Sequence, residues 1–405
     1  MTDPVVSRMT ALEVRASVSL ASIFALRLLG LFLILPVFAV YAQSIPGGTD
    51  ATLVGLALGI YGLTQGLLQI PYGAASDRWG RKPVIAAGLV VFAAGSFIAA
   101  VATDIGWTIA GRAIQGAGAI SAAVTALIAD STRDEHRTKA MALVGASVAL
   151  TFAGSLVLAP MLYPIIGVRG LFAMTGVLVV AAIGVLIWVV PATPPAPVSA
   201  QSDNEPGTAA VLFDQQLLRL NAGIFALHTV LMAMFVVIPL LLVEGGLPLE
   251  QHWKIYLPVV MLSFALMAKP LIVAERRALM RPLFIGSIVL VLVAQLGLLL
   301  GGDTLLLLAL WLLIFFTGFN ILEASLPSLV SRLAPASAKG LALGIYNTAQ
   351  ALGLFAGGAL GGAIVARWGS GAVFVFAAIA TAGWWLIALG MREVPVTTAS
   401  EPVPI

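Results

Sequence analysis

Long apolar runs, separated by short polar connectors, dominate the pattern of the chain. A helix needs about 20 mostly apolar residues to cross the hydrocarbon core of a bilayer. The runs are continuous and lack the polar alternation that the strands of a membrane barrel require. They predict an all-α membrane protein with twelve transmembrane helices, here called the first to twelfth spans, at residues 17–42, 52–75, 83–102, 105–129, 140–163, 169–190, 212–243, 254–273, 282–301, 304–329, 340–366 and 371–391.

The composition is typical of a protein that is surrounded by membrane lipid. Of the 405 residues, 60% are hydrophobic and 10% are charged, whereas a soluble domain carries about 25% charged residues. The net charge is +3, but the basic residues lie in separate connectors and form no continuous patch, which argues against a nucleic-acid partner. We therefore expect membrane lipid around the protein and no nucleic acid bound to it.

The distribution of Lys and Arg predicts how the chain is oriented. With the amino terminus inside, fifteen of the 21 Lys and Arg residues fall in cytoplasmic segments and three in external ones. Basic residues concentrate on the cytoplasmic side of membrane proteins. The sequence predicts a multi-pass protein of the inner (cytoplasmic) membrane, with both termini in the cytoplasm.

One proline-rich stretch divides the twelve spans into six and six. It reads PATPPAPVSAQSDNEPGTAA and has no apolar face to bury. We predict an amino-terminal half at 1–190, a cytoplasmic linker at 191–210, a carboxy-terminal half at 211–391 and a short cytoplasmic tail at 392–405.

The two halves carry the trace of an internal repeat. Pro71 and Pro83 lie twelve residues apart around the connector between the second and third spans, and Pro270 and Pro282 do so between the eighth and ninth. The offset is 199 residues for both prolines. This pattern predicts two pseudo-symmetric six-helix halves, which usually enclose a binding site near the middle of the membrane.

The connector between the second and third spans is unusually charged and reads GAASDRWGRKP over 73–83. It matches the Gly-x-x-x-Asp-Arg-x-Gly-Arg-Lys motif of the major facilitator superfamily. The resemblance implies the major facilitator fold and a conformational latch that breaks when the cytoplasmic side opens. The alternative is that the basic residues only orient the protein in the membrane. The predicted latch consists of Gly73, Asp77, Arg78, Gly80, Arg81, Lys82 and Asp130.

The residue types of the latch suit this task. Gly73 permits close packing against another helix, and Gly80 permits a tight turn. Asp77 can face the positive end of a helix dipole, which the resemblance places at the start of the eleventh span. The arginines of the motif, Arg78 included, can pair with Asp77 or with Asp130 at the end of the fourth span.

Two further stretches are similar to motifs of the same superfamily. RAIQGAGA at 112–119 resembles its fourth-span motif. GASVALTFAGSLVLAP at 145–160 resembles its fifth-span antiporter motif through Gly145, Gly154 and Pro160, without the usual Gly-Pro pair.

Two more stretches resemble one branch of the superfamily. RLLGLFLILP at 27–36 and FNILEASLPSLVSRLAP at 319–335 are similar to the drug–proton antiporters, and among them to YajR-like proteins. The resemblance implies a proton-coupled exporter of small, partly apolar molecules, with protons as the coupling ion and no cofactor.

Glu323 is the one acidic residue that lies well inside an apolar run. A charge at the bilayer centre costs at least about 2.5–3.5 kcal/mol, so a carboxylate there needs a function or a partner. Asn320, three residues earlier, lies on the same helical face. We predict that Glu323 faces the central cavity and binds a proton or a cationic substrate group; the alternative is a structural carboxylate paired with a basic residue.

The amino-terminal half has two interior basic residues, Arg27 and Arg112. Both stay charged at any relevant pH, so neither can carry the coupled proton. They can hold an anion, orient a carboxylate or satisfy backbone carbonyls, and Gln115 lies one turn from Arg112. His228 in the seventh span can titrate near neutral pH, although a lone histidine in a helix is more often a hydrogen-bonded packing residue.

Other polar residues extend the predicted cavity if they face inward, namely Tyr61, Gln65, Gln69, Tyr346 and Gln350.

Three functions are compatible with these residues. The sequence contains no phosphate-binding loop of the kind that an ATP-driven pump needs. It also contains no metal-ligand cluster or nucleophile constellation that would indicate an enzyme or a metal site. The sequence favours a monomeric, proton-coupled secondary exporter of a small molecule. The alternatives are uptake or facilitated diffusion of an anionic metabolite through Arg27 and Arg112, and a non-transporting membrane sensor with the same fold.

Overall fold

The computed structural model describes residues 9–191, 211–301, 304–335 and 338–393. Within these ranges every regular element is a helix, which confirms the predicted all-α class. The predicted linker and most of the predicted tail lie outside the described residues.

The described residues contain eleven helices that are long and apolar enough to cross a membrane. One of them, Glu135–Val189, has 55 residues. At 1.5 Å per residue it would be about 80 Å long, against about 30 Å for the hydrocarbon core. Its backbone leaves the helical region at Gly167, with φ 62° and ψ −179°, a conformation that glycine adopts without penalty. The described residues therefore form twelve spans, as predicted.

The helices have the following bounds: Ala11–Phe32 and Phe38–Ala42 (first span), Ala51–Trp79 (second), Arg81–Val101 (third), Ile105–Ala117 and Ser121–Asp130 (fourth), Asp134–Gly184 (fifth and sixth, divided at Gly167, with a π-helical end at Val185–Val189), Gln215–Glu244 (seventh), Trp253–Arg276 (eighth, preceded by a 3₁₀ turn at Leu249–Gln251), Met280–Gly301 (ninth), Leu305–Leu333 (tenth), Lys339–Trp368 (eleventh) and Ser370–Leu389 (twelfth).

Two spans predicted as continuous are interrupted. The first breaks before Pro36, which has no N–H to donate, and residues 33–37 form tight turns with i→i+3 bonds such as Val37 N to Ile34 O at 3.2 Å. The fourth breaks at Gly118, where the backbone approaches the carbonyl of Gly88 in the third span too closely for any side chain. Both interruptions come from backbone chemistry that the hydropathy pattern does not register.

Twelve crossings place the described connectors after even-numbered spans, and the first and last described residues, on one side of the membrane, here called the linker face. The connectors after odd-numbered spans lie on the opposite face. That the linker face is cytoplasmic remains a prediction.

Many of the acidic residues near span ends serve as helix caps. The side chains of Asp50 and Asp104 accept hydrogen bonds from backbone N–H groups at the starts of the second and fourth spans. Thr10 and Glu13 form a capping box at the first span. Such side chains satisfy backbone donors that the helix leaves unpaired, which explains why these polar residues stand at the membrane boundary.

The internal repeat is visible in the contacts of the connectors. Lys82 donates to the carbonyl of Val190 at the end of the sixth span, at 2.6 Å. Arg281 donates to the carbonyl of Leu389 at the end of the twelfth span, at 2.9 Å. Donor and acceptor are both shifted by 199 residues between the halves. Each half thus ties its central connector to its last helix in the same way.

On the opposite-face side, the second and eleventh spans pack backbone against backbone. A Cβ atom on Gly59 would lie 2.8 Å from the carbonyl oxygen of Phe355, and one on Gly358 would lie 2.8 Å from the Cα of Gly59. Gly55 meets Gly358 and Gly362 equally closely. The two halves are therefore in direct contact on this side of the membrane.

Toward the linker face the two halves separate. Gly340 and Gly344, in the first turns of the eleventh span, have no atom within 4 Å of a Cβ position. Gly73 in the second span faces Ala122 of its own half, at an ordinary 3.6 Å from a Cβ position. The structure is closed at the opposite face and open at the linker face.

The close contact predicts that Gly358→Val disrupts the packing of the two halves. Overpacked sites typically lose about 1–3 kcal/mol, so the thermal unfolding midpoint of the purified protein in detergent should fall. Gly383→Val is the matched control, because Gly383 lies in the twelfth span with nothing within 4 Å of a Cβ position. An equal fall in both variants would contradict the assignment.

Candidate functional site

Glu323 lies in the tenth span, facing side chains of the seventh and eleventh. Gln350 donates from Nε2 to Glu323 Oε1 at 3.2 Å, and His228 Nε2 lies 3.8 Å from Glu323 Oε2. The Glu323 side chain is 23% exposed, whereas that of His228 is 3% exposed. We call Glu323, His228 and Gln350 the carboxylate site; it joins three spans of the carboxy-terminal half.

The hydrogen-bond partners of His228 match those of a neutral ring protonated at Nδ1. Its Nδ1 faces the carbonyl oxygen of Ile224 at 3.2 Å, and a carbonyl can only accept, so Nδ1 carries a proton. Its Nε2 lies 2.9 Å from the amide nitrogen of Gln350, which donates, so Nε2 accepts. A histidine that donates at one ring nitrogen and accepts at the other is neutral. Among the described residues no Lys or Arg forms an ion pair with Glu323, which favours a functional carboxylate over the structural alternative.

Neighbouring polar groups support the site without entering it. Asn320 donates to Ser263 Oγ in the eighth span at 2.9 Å, so its amide is directed to that span and not to Glu323. Tyr346 lies one turn before Gln350, and its buried hydroxyl has no hydrogen-bond partner among the described residues. Oε2 of Glu323 likewise has none, so the site keeps free capacity for a proton or a ligand group.

An aromatic cluster separates the carboxylate site from the opposite face. Phe319, one turn from Glu323 toward that face, lies with its ring centroid 5.9 Å from His228. Phe152 of the fifth span lies 5.6 Å from Phe319 and 5.1 Å from Phe32 of the first span. The two halves therefore meet through aromatic rings on one side of Glu323. We did not predict these rings, although the run FFTGF at 315–319 places three of them close together.

Arg112 has a different setting, deep in the amino-terminal half. It is buried and reaches the carbonyl oxygens of Ala57 and Gly30 at 3.3 Å each. It also donates to Gln115 Oε1 at 3.1 Å, and Gln115 donates to Ser96 at 2.7 Å. Of the three tasks predicted for this arginine, the geometry favours the satisfaction of backbone carbonyls.

Arg27 is also buried but keeps unused donors. Its Nη1 donates to Ser121 Oγ at 2.7 Å, while Nε and Nη2 have no hydrogen-bond partner among the described residues. The Tyr61 ring lies between the two arginines, 5.7 Å from Arg27 and 5.0 Å from Arg112. The predicted cavity residues thus fall into two groups, one around Glu323 and one around Tyr61.

Gln65 and Gln69 follow Tyr61 at one-turn spacings on the second span and are buried. Oε1 of Gln65 and both amide atoms of Gln69 have no hydrogen-bond partner among the described residues. Buried polar atoms are nearly always satisfied, so this part of the amino-terminal half is able to take up polar ligands or water.

The latch residues cluster at the linker face within one half. Arg81 binds Asp77 and, at 2.9 Å, Asp130, and it donates to Ser76 Oγ at 2.8 Å. Gly80 has φ 94°, which explains the glycine in the motif. Arg78 is exposed and stands outside this cluster, so Arg81 alone makes the pairing that we predicted for either arginine.

The latch is not engaged with the carboxy-terminal half in this conformation. The side chain of Asp77 is 65% exposed. Gly145 and Gly154 of the fifth-span motif have no atom within 4 Å of a Cβ position, and Pro160 is buried inside the helix. The glycines of this motif therefore make no close helix contacts while the linker face is open.

Twelve membrane-crossing helices among the described residues, in two halves with matching connector contacts, form the architecture of a membrane transporter and not of an enzyme. The chain matches the Major Facilitator Superfamily over residues 20–358. It belongs to that superfamily.

Known proteins of similar sequence are transporters. The chain is 42% identical over 393 residues to the inner membrane transport protein YajR of Escherichia coli, covering 97% of this chain and 86% of that protein. It is 28% identical over 345 residues to the multidrug resistance protein MdtH of Yersinia enterocolitica, covering 82% and 81%. The crystal structure of a bacterial homologue of the human lysosomal transporter Spinster, in an inward-facing and occupied conformation, has the same fold, with a TM-score of 0.75, 12% identity, and 94% and 98% coverage.

The hydrogen bonds of His228 predict its tautomer. In ¹⁵N NMR of histidine-labelled protein, which has three histidines, the His228 signal should report a neutral ring protonated at Nδ1. Gln350→Leu removes the donor to Nε2 and should move that signal, while the signals of His136 and His252 stay in place. A His228 ring protonated at both nitrogens, or at Nε2 alone, would contradict the geometry.

Proposed function

We propose that the chain is a proton-coupled exporter of small, partly apolar compounds. The observation that carries the proposal is the carboxylate site: a partly exposed carboxyl inside the membrane, without a cationic partner, next to a neutral histidine. Intramembrane carboxyl groups of this kind are costly and typically mark proton or substrate pathways. The similarity to a protein named for multidrug resistance supports export.

The site suggests how protons and substrate would alternate. A proton that binds Glu323 neutralises the carboxylate, and the free Oε2 is the oxygen that can receive it. The ionised carboxylate accepts from Gln350 and would hold a cationic or hydrogen-bonding group of the substrate. Because proton and substrate use the same carboxyl, the binding of one opposes the binding of the other, which is the basis of exchange.

The aromatic cluster supports a partly apolar substrate. Phe319 and Phe152 lie beside the carboxylate site and come from different halves. A compound bound at Glu323 would contact these rings while the opposite face is closed. Aromatic faces also attract cations, so an apolar compound with one positive charge fits best.

The packing suggests how the two halves would move. In the proposed cycle, the glycine contact of the second and eleventh spans opens at the opposite face, while the latch closes at the linker face. The glycines without neighbours toward the linker face provide the space for that closure. We further propose that the protein acts as a monomer in the inner membrane, with the linker face in the cytoplasm, in keeping with its similarity to an inner membrane transport protein.

The second candidate function is transport of an anionic metabolite. It is favoured by Arg27, whose Nε and Nη2 are free to bind an anion. The side chain is fully buried in this conformation, so an anion would reach it only after a rearrangement of the amino-terminal half. The exporter is the better supported of the two, because the Glu323 side chain is 23% exposed in this conformation.

The exporter proposal predicts that Glu323→Gln abolishes coupling. Purified protein in liposomes with a pH-sensitive dye inside should move protons when a cationic, partly apolar compound is added. Glu323→Gln keeps the shape of the side chain but cannot bind the proton, so that flux should be lost. Glu275→Gln is the matched control, because Glu275 is 62% exposed and pairs with Arg332 at 3.0 Å at the linker face.

Each outcome of this experiment decides between the candidates. Proton flux that persists in Glu323→Gln would refute the role of the carboxylate. Uptake of anionic compounds that is independent of Glu323 and lost in Arg27→Gln would favour the second candidate. Absence of flux with every compound, from protein shown to be folded, would favour a sensor.

The latch predicts that a larger side chain at position 73 slows transport. In the open conformation a Cβ at Gly73 would lie at an ordinary 3.6 Å from Ala122, so Gly73→Ala should leave the thermal unfolding midpoint close to that of the wild type. Closure of the linker face requires another helix to approach Gly73, so turnover should fall several-fold. A variant that transports at the wild-type rate would contradict the latch.

A further inference from the structure

A cavity other than the carboxylate site lies between the eighth, ninth and tenth spans. Its volume is about 310 Å³, at the lower end of the range for small-molecule sites. It opens sideways, because Leu266 and Gly286 in its wall are exposed on the surface of the helix bundle. The residues that surround it include Leu266, Pro270, Pro282, Gly286, Leu290 and Ile321.

This cavity is separate from the carboxylate site. Ile321 lines it, and Ile321 precedes Glu323 by two residues in the same helix. Two residues correspond to about 200° of rotation around an α-helix. The tenth span therefore carries the cavity on one side and the carboxylate on the other.

The walls of the cavity offer hydrocarbon and no free polar group. Its two hydroxyl residues, Ser287 and Thr317, donate to carbonyls of their own helices, at 2.8 Å to Leu283 and 2.7 Å to Leu313. The other lining residues are apolar. Such a surface suits an acyl chain and cannot recognise a polar solute.

The eighth span, which forms one wall of the cavity, carries three basic residues near or beyond Pro270 toward the linker face. Lys269 adjoins the lining residue Pro270, and Arg276 and Arg277 end the same span and form its connector. All three are exposed, and no hydrogen bond or ion pair joins them to other described side chains. The acidic residue among them, Glu275, is paired with Arg332 at 3.0 Å.

The equivalent connector of the amino-terminal half is arranged differently. There, Arg81 is bound to Asp77 and Asp130, and Lys82 to the carbonyl of Val190. Basic residues that serve only to orient the protein need no cavity beside them. The three free cations of the carboxy-terminal half lie on the eighth span, which forms one wall of the apolar cavity, beside the lining residue Pro270 or between it and the linker face.

We propose that this cavity binds an anionic phospholipid, with an acyl chain in the cavity and the phosphate held by Lys269, Arg276 and Arg277. Basic pockets between transmembrane helices are suited to anionic head groups. The apolar wall selects a lipid over free phosphate, and the cations select an anionic lipid over a neutral one. The lipid would press on the side of the tenth span that faces away from Glu323.

Native mass spectrometry of the full chain tests the proposal. Protein released from mild detergent with equal amounts of phosphatidylglycerol and phosphatidylcholine should retain one phosphatidylglycerol in preference to phosphatidylcholine. Gly286→Leu should remove that bound lipid, since nothing lies within 4 Å of a Cβ position at Gly286 and the leucine fills the cavity without a clash. Gly383→Leu, at an equally open site on the twelfth span, should retain it.

A second variant tests the head-group contacts. Arg276→Gln with Arg277→Gln should reduce the preference for phosphatidylglycerol over phosphatidylcholine, and inorganic phosphate should not displace the lipid. Equal retention of the two lipids by the wild type, full retention by Gly286→Leu, or displacement by phosphate would each overturn the proposal. None of these measurements depends on transport.

Discussion

The backbone contact between the second and eleventh spans is the constraint on which the arrangement of the two halves depends. Gly55, Gly59 and Gly358 let the helices approach so closely that no side chain fits between them. In lipid there is no hydrophobic driving force between helices, because acyl chains are as apolar as the side chains. Close packing of small residues is therefore a main source of helix association. The contact keeps the opposite face closed and leaves the linker face open, so it determines from which side of the membrane Glu323 can be reached.

The buried polar groups of this protein have two different roles. Arg112 and Gln115 bond to carbonyls and side chains of their own half and hold four spans together. Glu323, by contrast, has one oxygen without a partner and lies next to an uncharged ring. A fully satisfied group adds rigidity, whereas a partly satisfied one keeps the capacity to bind, and buried polar networks are rarely left incomplete without a function.

The sequence was sufficient for the spans, because about 20 consecutive apolar residues in lipid have one stable solution. It also singled out Glu323, because an isolated acid in an apolar run is costly. It did not show that Arg112 faces carbonyls or that His228 lies against Glu323 and Gln350, since such contacts join residues of different helices that are 55 to 122 positions apart in the sequence. The breaks at Pro36 and Gly118 were missed for a related reason: hydropathy records side chains, and these breaks arise in the backbone.

A neutral His228 would have an electrical consequence. If that ring stays uncharged, the carboxylate site changes by one unit of charge when Glu323 takes up a proton. Exchange of one proton for a monovalent cation then carries no net charge through the bilayer, and voltage has no influence on its equilibrium. Exchange of one proton for an uncharged compound moves one charge, and the membrane potential then contributes about 2.3 kcal/mol per 100 mV. The same site would thus drive uncharged compounds with the full proton-motive force and cationic ones with the pH gradient alone.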